Sequence, residues 1–81
     1  MMNNNTIRMH VRDTEGALIR VLGLSERRGY RPTSVRAETG GQTPWFQVRL
    51  CVETRRPIEQ LVRQLNKLID VRDVEVRDES Q

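Results

Sequence analysis

Residues 12–18 hold the combination of residue types in this chain that is best suited to bind a ligand. An alternating strand pattern leads into an acidic turn with a glycine, Gly16, and an amphipathic helix follows directly. A helix start leaves backbone N–H groups unpaired and carries the positive end of the helix dipole, so it suits a small carboxylate. The segment contains no nucleophile and no matched acid–base pair. The pattern therefore predicts binding and regulation, with no catalytic residue.

Metal and disulfide chemistry depend largely on cysteine and histidine, and the chain has one of each. Cys51 is the one cysteine, which excludes a disulfide within the chain. His10 and Cys51 together supply too few ligands for a zinc site. We therefore predict that this chain binds no metal and no cofactor.

The length of 81 residues is sufficient for one small domain with a thin core. Residues 1–5 lack the apolar run of a signal peptide or membrane span, so we expect a frayed terminus, no membrane partner and a cytoplasmic protein. Residues 78–81 are expected to form a frayed tail, which leaves the domain at residues 6–77. Small domains often gain stability by association, and the predicted core does not use Ile19, Tyr30 or Trp45. We therefore expect a homodimer.

The formal net charge of +3 is compatible with a nucleic-acid partner. The basic residues, however, are spread along the whole chain, with acidic residues between them. A solvated surface explains this distribution more simply, so no nucleic-acid partner is expected.

Hydrophobic periodicity divides the chain into four strands and two helices. In chain order these are a strand at 6–12, a helix at 14–28, strands at 30–38 and 45–53, a helix at 58–68 and a strand at 71–77. Asp13 is the predicted N-cap of the first helix, Gly29 its C-terminal glycine, and Val74 and Val76 point inward from the last strand. Right-handed crossovers place both helices on one face of a four-stranded antiparallel sheet, which is the α+β, ferredoxin-like βαββαβ fold.

Two blocks of this sequence resemble a known family. Residues 13–24 contain the pattern G-A-L-x-R-V-x-G-L, and residues 64–71 contain Q-L-x-K-L-x-D-V. Their order and spacing, with Arg28-Gly29-Tyr30 between them, resemble the ACT domain of the small regulatory subunit of acetolactate (acetohydroxyacid) synthase. The resemblance extends over about residues 6–77, and the chain is similar to the short, single-ACT subunits of the isozyme II type.

This resemblance implies a non-catalytic subunit that dimerises and binds the large catalytic subunit of acetolactate synthase, in the biosynthesis of valine, leucine and isoleucine. Members of the family raise the activity of the large subunit, and many transmit feedback inhibition by valine. Thiamine diphosphate, magnesium and FAD would belong to the large subunit alone. A branched-chain amino acid would be the effector.

The resemblance also places an effector site at the turn between the first strand and the first helix, against a neighbouring protomer. The implied effector-binding residues are Asp13, Gly16, Ala17, Leu18 and Arg31, with the ligand carboxylate on the amides of Gly16, Ala17 and Leu18. Members of the family usually carry short amide side chains in place of Asp13 and Arg31. Asp13 would repel a ligand carboxylate and Arg31 is larger than the usual residue, so the sequence predicts weak valine binding.

Two other functions fit the same topology. One is a free-standing ACT domain that senses an amino acid for a different partner. The other is an RNA-binding domain, which would need stacking aromatic residues on its central strands. The outward positions there are Arg8, His10, Gln47 and Arg49, of which only His10 could stack. RNA binding is therefore the weaker alternative.

Overall fold

The computed structural model describes residues 2–77 and contains the six predicted elements in the predicted order. They are β1 (Asn3–Arg12), α1 (Ala17–Arg27), β2 (Arg31–Thr39), β3 (Trp45–Thr54), α2 (Ile58–Leu65) and β4 (Val71–Arg77). The strands form one antiparallel sheet in the order β2-β3-β1-β4. This confirms the predicted α+β, ferredoxin-like fold. The predicted tail at 78–81 lies outside the described residues.

The core lies between the sheet and the two helices because alternate residues of the central strands are apolar. Ile7 and Val11 of β1 and Leu50 of β3 are fully buried there. The helices add Ala17 and Val21 from α1. Leu61 and Leu65, four residues apart on α2, complete the same cluster. These buried positions agree with the periodicity of the sequence.

Strand β1 begins earlier than the sequence analysis predicts. Asn3 to Asn5, which that analysis assigns to a frayed terminus, pair with β3, and Asn3 lies opposite Thr54. A polar strand end has no periodicity to indicate it, because its position is set by the partner strand.

Helix α1 begins at Ala17 and not at Thr14, so the predicted N-cap is wrong. Gly16 is the N-cap, and no side chain caps the helix. Gly16 has φ +82 and ψ −4, a left-handed conformation that glycine adopts without strain. Residues 13–16 therefore form a turn ahead of the helix, and Asp13 is exposed on it.

The C-terminal end of α1 confirms the predicted role of Gly29. Its φ is +89, its amide donates to Glu26 O (3.1 Å), and the amide of Tyr30 donates to Ser25 O (2.9 Å). This pair of bonds is a Schellman motif, which satisfies the last carbonyls of the helix.

Helix α2 ends at Leu65, three residues before the predicted end. Beyond it, the amides of Lys67 and Leu68 donate to carbonyls three residues back, so the chain continues in tight turns. Leu68 still packs against the core, which is why its helical spacing suggested a longer helix.

Strand β4 contains a bulge that keeps its valines on the inner face. Asp73 and Val74 both lie opposite Met9, and Asp73 has φ 59. The extra residue places Val71 and Val74, three positions apart, on the same side of the strand. Val74 is half-buried as predicted, whereas Val76 lies near the strand's end at the edge of the sheet and remains 39% exposed.

Tyr30 belongs to the core, contrary to the expectation that the core does not use it. It is 1% exposed, and its hydroxyl donates to Pro57 O at 2.7 Å. The buried Thr54 hydroxyl donates to Gly29 O at 3.1 Å and accepts from the amide of Arg56 at 2.9 Å. These bonds join the end of α1 to the connection between β3 and α2.

We predict that Tyr30→Phe destabilises the domain by about 1 kcal/mol at neutral pH, because Pro57 O loses its donor. Burial, opposed in part by Arg56 and aided by Glu59, raises the pKa of Tyr30 above 10.0. The folded state therefore holds this proton more tightly than the unfolded chain. The resulting stability is complete below pH 10.0 and is lost as the pH rises through the folded pKa.

Urea unfolding of both proteins at neutral pH and above pH 10.0 tests this prediction. The wild type should lose more stability at alkaline pH than Tyr30→Phe does, so that the difference between them narrows. Parallel curves would contradict the assigned role of the hydroxyl.

Candidate functional site

The turn between β1 and α1 is held in place by backbone hydrogen bonds to two other connections. The amide of Asp13 donates to Pro44 O (2.7 Å), in the loop before β3. The amide of Arg12 donates to Asp70 O (2.8 Å), just before β4. Within the turn, the amide of Thr14 donates to Arg12 O (2.8 Å). The start of α1 is therefore held in a fixed position at the end of the central strand β1.

Two of the three amides expected to meet a ligand carboxylate are available at this helix start. The amide of Ala17 donates to Thr14 O at 3.1 Å, so it is already used. Within residues 2–77, the amides of Gly16 and Leu18 have no backbone acceptor. The Ala17 side chain is 2% exposed and packs in the core, while Gly16 and Leu18 are half-buried. A ligand could thus accept hydrogen bonds from two neighbouring donors at the positive end of the helix.

Two charged residues that the sequence analysis missed lie beside this turn. The Asp70 carboxylate is 3.8 Å from Arg20 Nη1 and 3.9 Å from Arg12 Nε. These separations are too long for hydrogen bonds, so each pair adds only modest stability. Arg20 Nη2 is 3.8 Å from the position that a Cβ on Gly16 would take. Two features of the sequence could have assigned these residues to the site: Arg20 follows Gly16 by four residues, and Asp70 belongs to the second sequence block.

A small apolar depression of about 50 Å³ adjoins the turn. It is lined by Ala17, Arg20, Leu68, Ile69, Asp70 and Val71. Ligand pockets usually enclose ~300–1,000 Å³, so one chain provides only part of an amino-acid site. Ile69 is 92% exposed at its rim. Both observations agree with a site that a second protein surface must complete.

Arg31, the fifth predicted site residue, lies at the opposite end of the sheet from the turn. It pairs with Glu53 at the end of β3, and its Nη1 is 3.3 Å from Glu53 Oε1. The turn instead follows Arg12, which pairs with Trp45 at the start of β3. Eight steps of ~3.4 Å separate these two positions of β3, or about 27 Å. A single chain does not bring Arg31 to Asp13, so a shared site requires a second copy.

Within residues 2–77, no group of three or more histidine, cysteine, aspartate or glutamate side chains could hold a metal ion. Over the same residues, no helix is long and apolar enough to cross a membrane.

Comparison with known proteins identifies the family. The sequence model of the ACT domain matches residues 13–74. The chain therefore belongs to the ACT domain family, whose members are generally regulatory, amino-acid-sensing modules without catalytic activity.

Solved structures agree with this assignment at the level of the fold. The crystal structure of the ACT domain from GTP pyrophosphokinase of Chlorobium tepidum has a TM-score of 0.78 at 16% identity, covering 95% of this chain and 100% of that one. An uncharacterized protein from Thermotoga maritima has a TM-score of 0.73 at 17% identity, covering 99% of this chain and 100% of the other. At such low identity these matches establish the fold alone.

We predict that valine binds this protein weakly and that Asp13→Asn improves its affinity roughly tenfold. Repulsion between the Asp13 carboxylate and the carboxylate of a ligand bound at the turn costs about 1–2 kcal/mol, and the uncharged side-chain amide of asparagine removes that repulsion. Calorimetric titration with valine measures both affinities.

Glu15→Gln is the matched control, because Glu15 is an exposed carboxylate of the same turn. It removes the same charge two residues away and should change the affinity much less. Tight valine binding by the unaltered protein would contradict the prediction, and so would equal gains from both variants.

Proposed function

We propose that this ACT domain is the non-catalytic regulatory subunit that activates acetolactate synthase in branched-chain amino-acid biosynthesis. The observation that carries the proposal is that the two sequence blocks that resemble this family lie in contact in the folded chain. Asp70 of the second block lies next to Arg20 of the first, and its carbonyl accepts from the amide of Arg12. The residues that carry the resemblance thus build the candidate effector turn.

The homodimer is part of this proposal, and the edges of the sheet favour β2 as its interface. An edge strand leaves backbone groups unpaired along one side, so it can pair with a second copy unless something blocks it. The β4 edge is interrupted by the bulge at Asp73 and carries several charged residues. The β2 edge is regular from Ser34 to Thr39, and Val35 is 44% exposed on it.

Pairing of two β2 strands would also bring Arg31 of a second copy to the end of the sheet that carries the candidate effector site. If two copies pair antiparallel about Val35, the register shift between Pro32 and Ser34 leaves Arg31 of one copy near Glu38 and Thr39 of the other. Thr39 pairs with Phe46 near the start of β3, at the same end of the sheet as the Asp13 turn. A second copy therefore brings its Arg31 to the end of the sheet where the first copy has its turn.

We predict that the protein sediments as a dimer at micromolar concentration and that Val35→Glu shifts it toward monomer. The added charge would be buried, or would repel its equivalent, at an interface centred on Val35. Val76→Glu is the matched control, because Val76 is 39% exposed on the other edge strand. Analytical ultracentrifugation over a range of concentrations measures both. A monomeric parent protein, or equal weakening by the two variants, would exclude the β2 interface.

The outer face of the sheet is our candidate surface for the large subunit. Arg36, Arg49 and Arg8 lie directly opposite one another on β2, β3 and β1. Within the described part of the chain, none of the three forms an ion pair. Like charges opposite one another in a sheet repel and destabilise it. Acidic side chains of a partner would reduce the repulsion among these three arginines, so the row is a suitable surface for an acidic partner.

Activation would follow from preferential binding. A regulatory subunit raises the rate only if it binds the competent conformation of the large subunit more tightly than the other conformations. The chemistry, with thiamine diphosphate, magnesium and FAD, would remain in the large subunit. This chain would contribute contacts and, through the dimer, a site for a branched-chain amino acid.

We predict that the protein raises acetolactate formation from pyruvate by its cognate large subunit, with saturation, and has no activity alone. Arg8→Glu with Arg49→Glu should raise the concentration needed for half-maximal activation about tenfold or more, because the charge of the contact is reversed. Arg27→Glu with Arg28→Glu, at the exposed end of α1, is the matched control. Both variants should remain folded at the assay temperature, which circular dichroism checks; the control pair is expected to be slightly less stable, because glutamate is unfavourable at the C-terminal end of a helix.

The titration separates the alternatives. No saturable rise in rate and no co-elution with the large subunit would contradict the proposal and favour a free-standing ACT sensor with another partner. If only Arg27→Glu with Arg28→Glu raises the concentration needed for half-maximal activation, the proposed activation still holds, but the contact lies at the end of α1.

A further inference from the structure

A cleft of about 380 Å³ lies between the end of α1 and one side of α2, at the opposite end of the domain from the β1–α1 turn. Four cationic residues line it, and its other lining residues are Tyr30, Gln60 and Gln64. The cationic residues are Arg28, Arg56, Arg63 and Lys67. No acidic residue lines this cleft. Within residues 2–77, none of the four forms an ion pair with a carboxylate.

The absence of acidic lining residues distinguishes this cleft from the depression on the outer face of the sheet. That depression, of about 400 Å³, contains arginines, but Glu38, Asp73 and Glu75 also line it. A ligand there meets both signs of charge. Every charged residue that lines the cleft between the helices is positive, although the Glu59 carboxylate is close enough to Tyr30 to help raise its pKa, and the excess of positive charge favours an anion.

The backbone around the cleft holds Arg56 in position. A Cβ on Gly29 would lie 2.5 Å from Arg56 Nε, so the Arg56 side chain lies directly against the glycine. The amide of Arg56 donates to the Thr54 hydroxyl, and that hydroxyl donates to Gly29 O. The Tyr30 hydroxyl fixes the adjoining Pro57 carbonyl at 2.7 Å. The backbone of Arg56 is therefore fixed and its side chain packs against Gly29, which restricts this side chain and lowers the entropy lost on binding.

The remaining donors come from one side of α2 and from the end of α1. Along α2 and the turn after it, Gln60 stands three and four residues before Arg63 and Gln64, and Lys67 stands four and three residues after them. Such spacings place side chains next to one another along one side of a helix. Arg28, the C-cap of α1, faces them across the cleft. Three guanidinium groups, an ammonium and two amides thus converge on one concave space.

We propose that this cleft binds a small polyanion with two or more phosphate groups. Guanidinium groups pair with phosphate oxygens through two parallel hydrogen bonds, and four cations exceed what a single carboxylate would need. The volume lies within the range of small-molecule sites, and a concave cleft fits a compact ligand better than an extended chain. The site is separate from the effector turn, so the proposal is independent of the proposed activation of acetolactate synthase.

Calorimetric titration of the full chain with inorganic tripolyphosphate, pyrophosphate and phosphate tests the proposal. Affinity should rise with the number of phosphate groups, because each adds oxygens for the four cations. Arg63→Gln with Lys67→Gln, both exposed on α2 or just after it, should weaken tripolyphosphate binding about tenfold or more. Arg8→Gln with Arg49→Gln removes the same charge from the outer face and should change the affinity less than about twofold.

Amide chemical shifts in the same titration locate the ligand. The resonances of residues 28–30 and 60–67 should move, and those of residues 13–18 should remain in place. Adenosine triphosphate and tripolyphosphate both carry three linked phosphate groups, so a difference between their affinities shows whether the nucleoside contributes to binding. No saturable binding, equal losses from the two variant pairs, or shifts spread over the sheet face would overturn the proposal. So would tighter binding of an acidic peptide than of tripolyphosphate in the same cleft.

Discussion

The antiparallel pairing of β1 with β3 is the constraint on which the rest of the structure depends. Its register runs without interruption from Asn3 opposite Thr54 to Arg12 opposite Trp45. A shift of one residue would exchange the buried and exposed faces of a strand, so the apolar alternation of both strands fixes this register. The pairing also sets the two ends of the domain, because the β1–α1 turn follows one end and Arg31 and the cationic cleft lie at the other.

The two ends differ in chemistry as well as in position. At one end, the amides of Gly16 and Leu18 stand beside Arg20 and Asp70, where opposite charges balance. At the other end, the cleft between α1 and α2 collects positive charge without an acidic lining residue. Helix α1 spans the distance between them, since it begins at the turn and its C-cap lines the cleft. A ligand at either end would therefore contact the same helix.

Local patterns were sufficient to predict the fold, because strand alternation and helical spacing act over a few residues. The Schellman motif at Gly29 is predictable for the same reason. The start of α1 could not be predicted in this way. Asp13 is a residue type that favours the N-cap position, but the left-handed conformation of Gly16 places the start of the helix at Ala17. The bulge at Asp73 could be inferred only from the spacing of Val71 and Val74, and the edge position of Val76 only from the sheet order.

The candidate sites depend on contacts that the sequence does not show. Residues 13–18 were placed correctly at one turn, but Arg31 lies about 27 Å away along the sheet and can join them only from another copy. Asp70 reaches the turn because β4 pairs with β1, which links residues far apart in the chain. The cationic cleft combines residues from three connections and one helix. No single stretch of sequence carries its charge pattern.

The bulge in β4 also bears on how an assembly of these domains would end. If two copies pair through the regular part of β2, from Ser34 to Thr39, the remaining outer edges of the combined sheet are both β4. Because Asp73 breaks the regular ladder there, a third copy finds no template on either side. Such a contact would be isologous, so it would close on itself with twofold symmetry. One residue in a left-handed conformation would then separate a finite pair from an open-ended fibre.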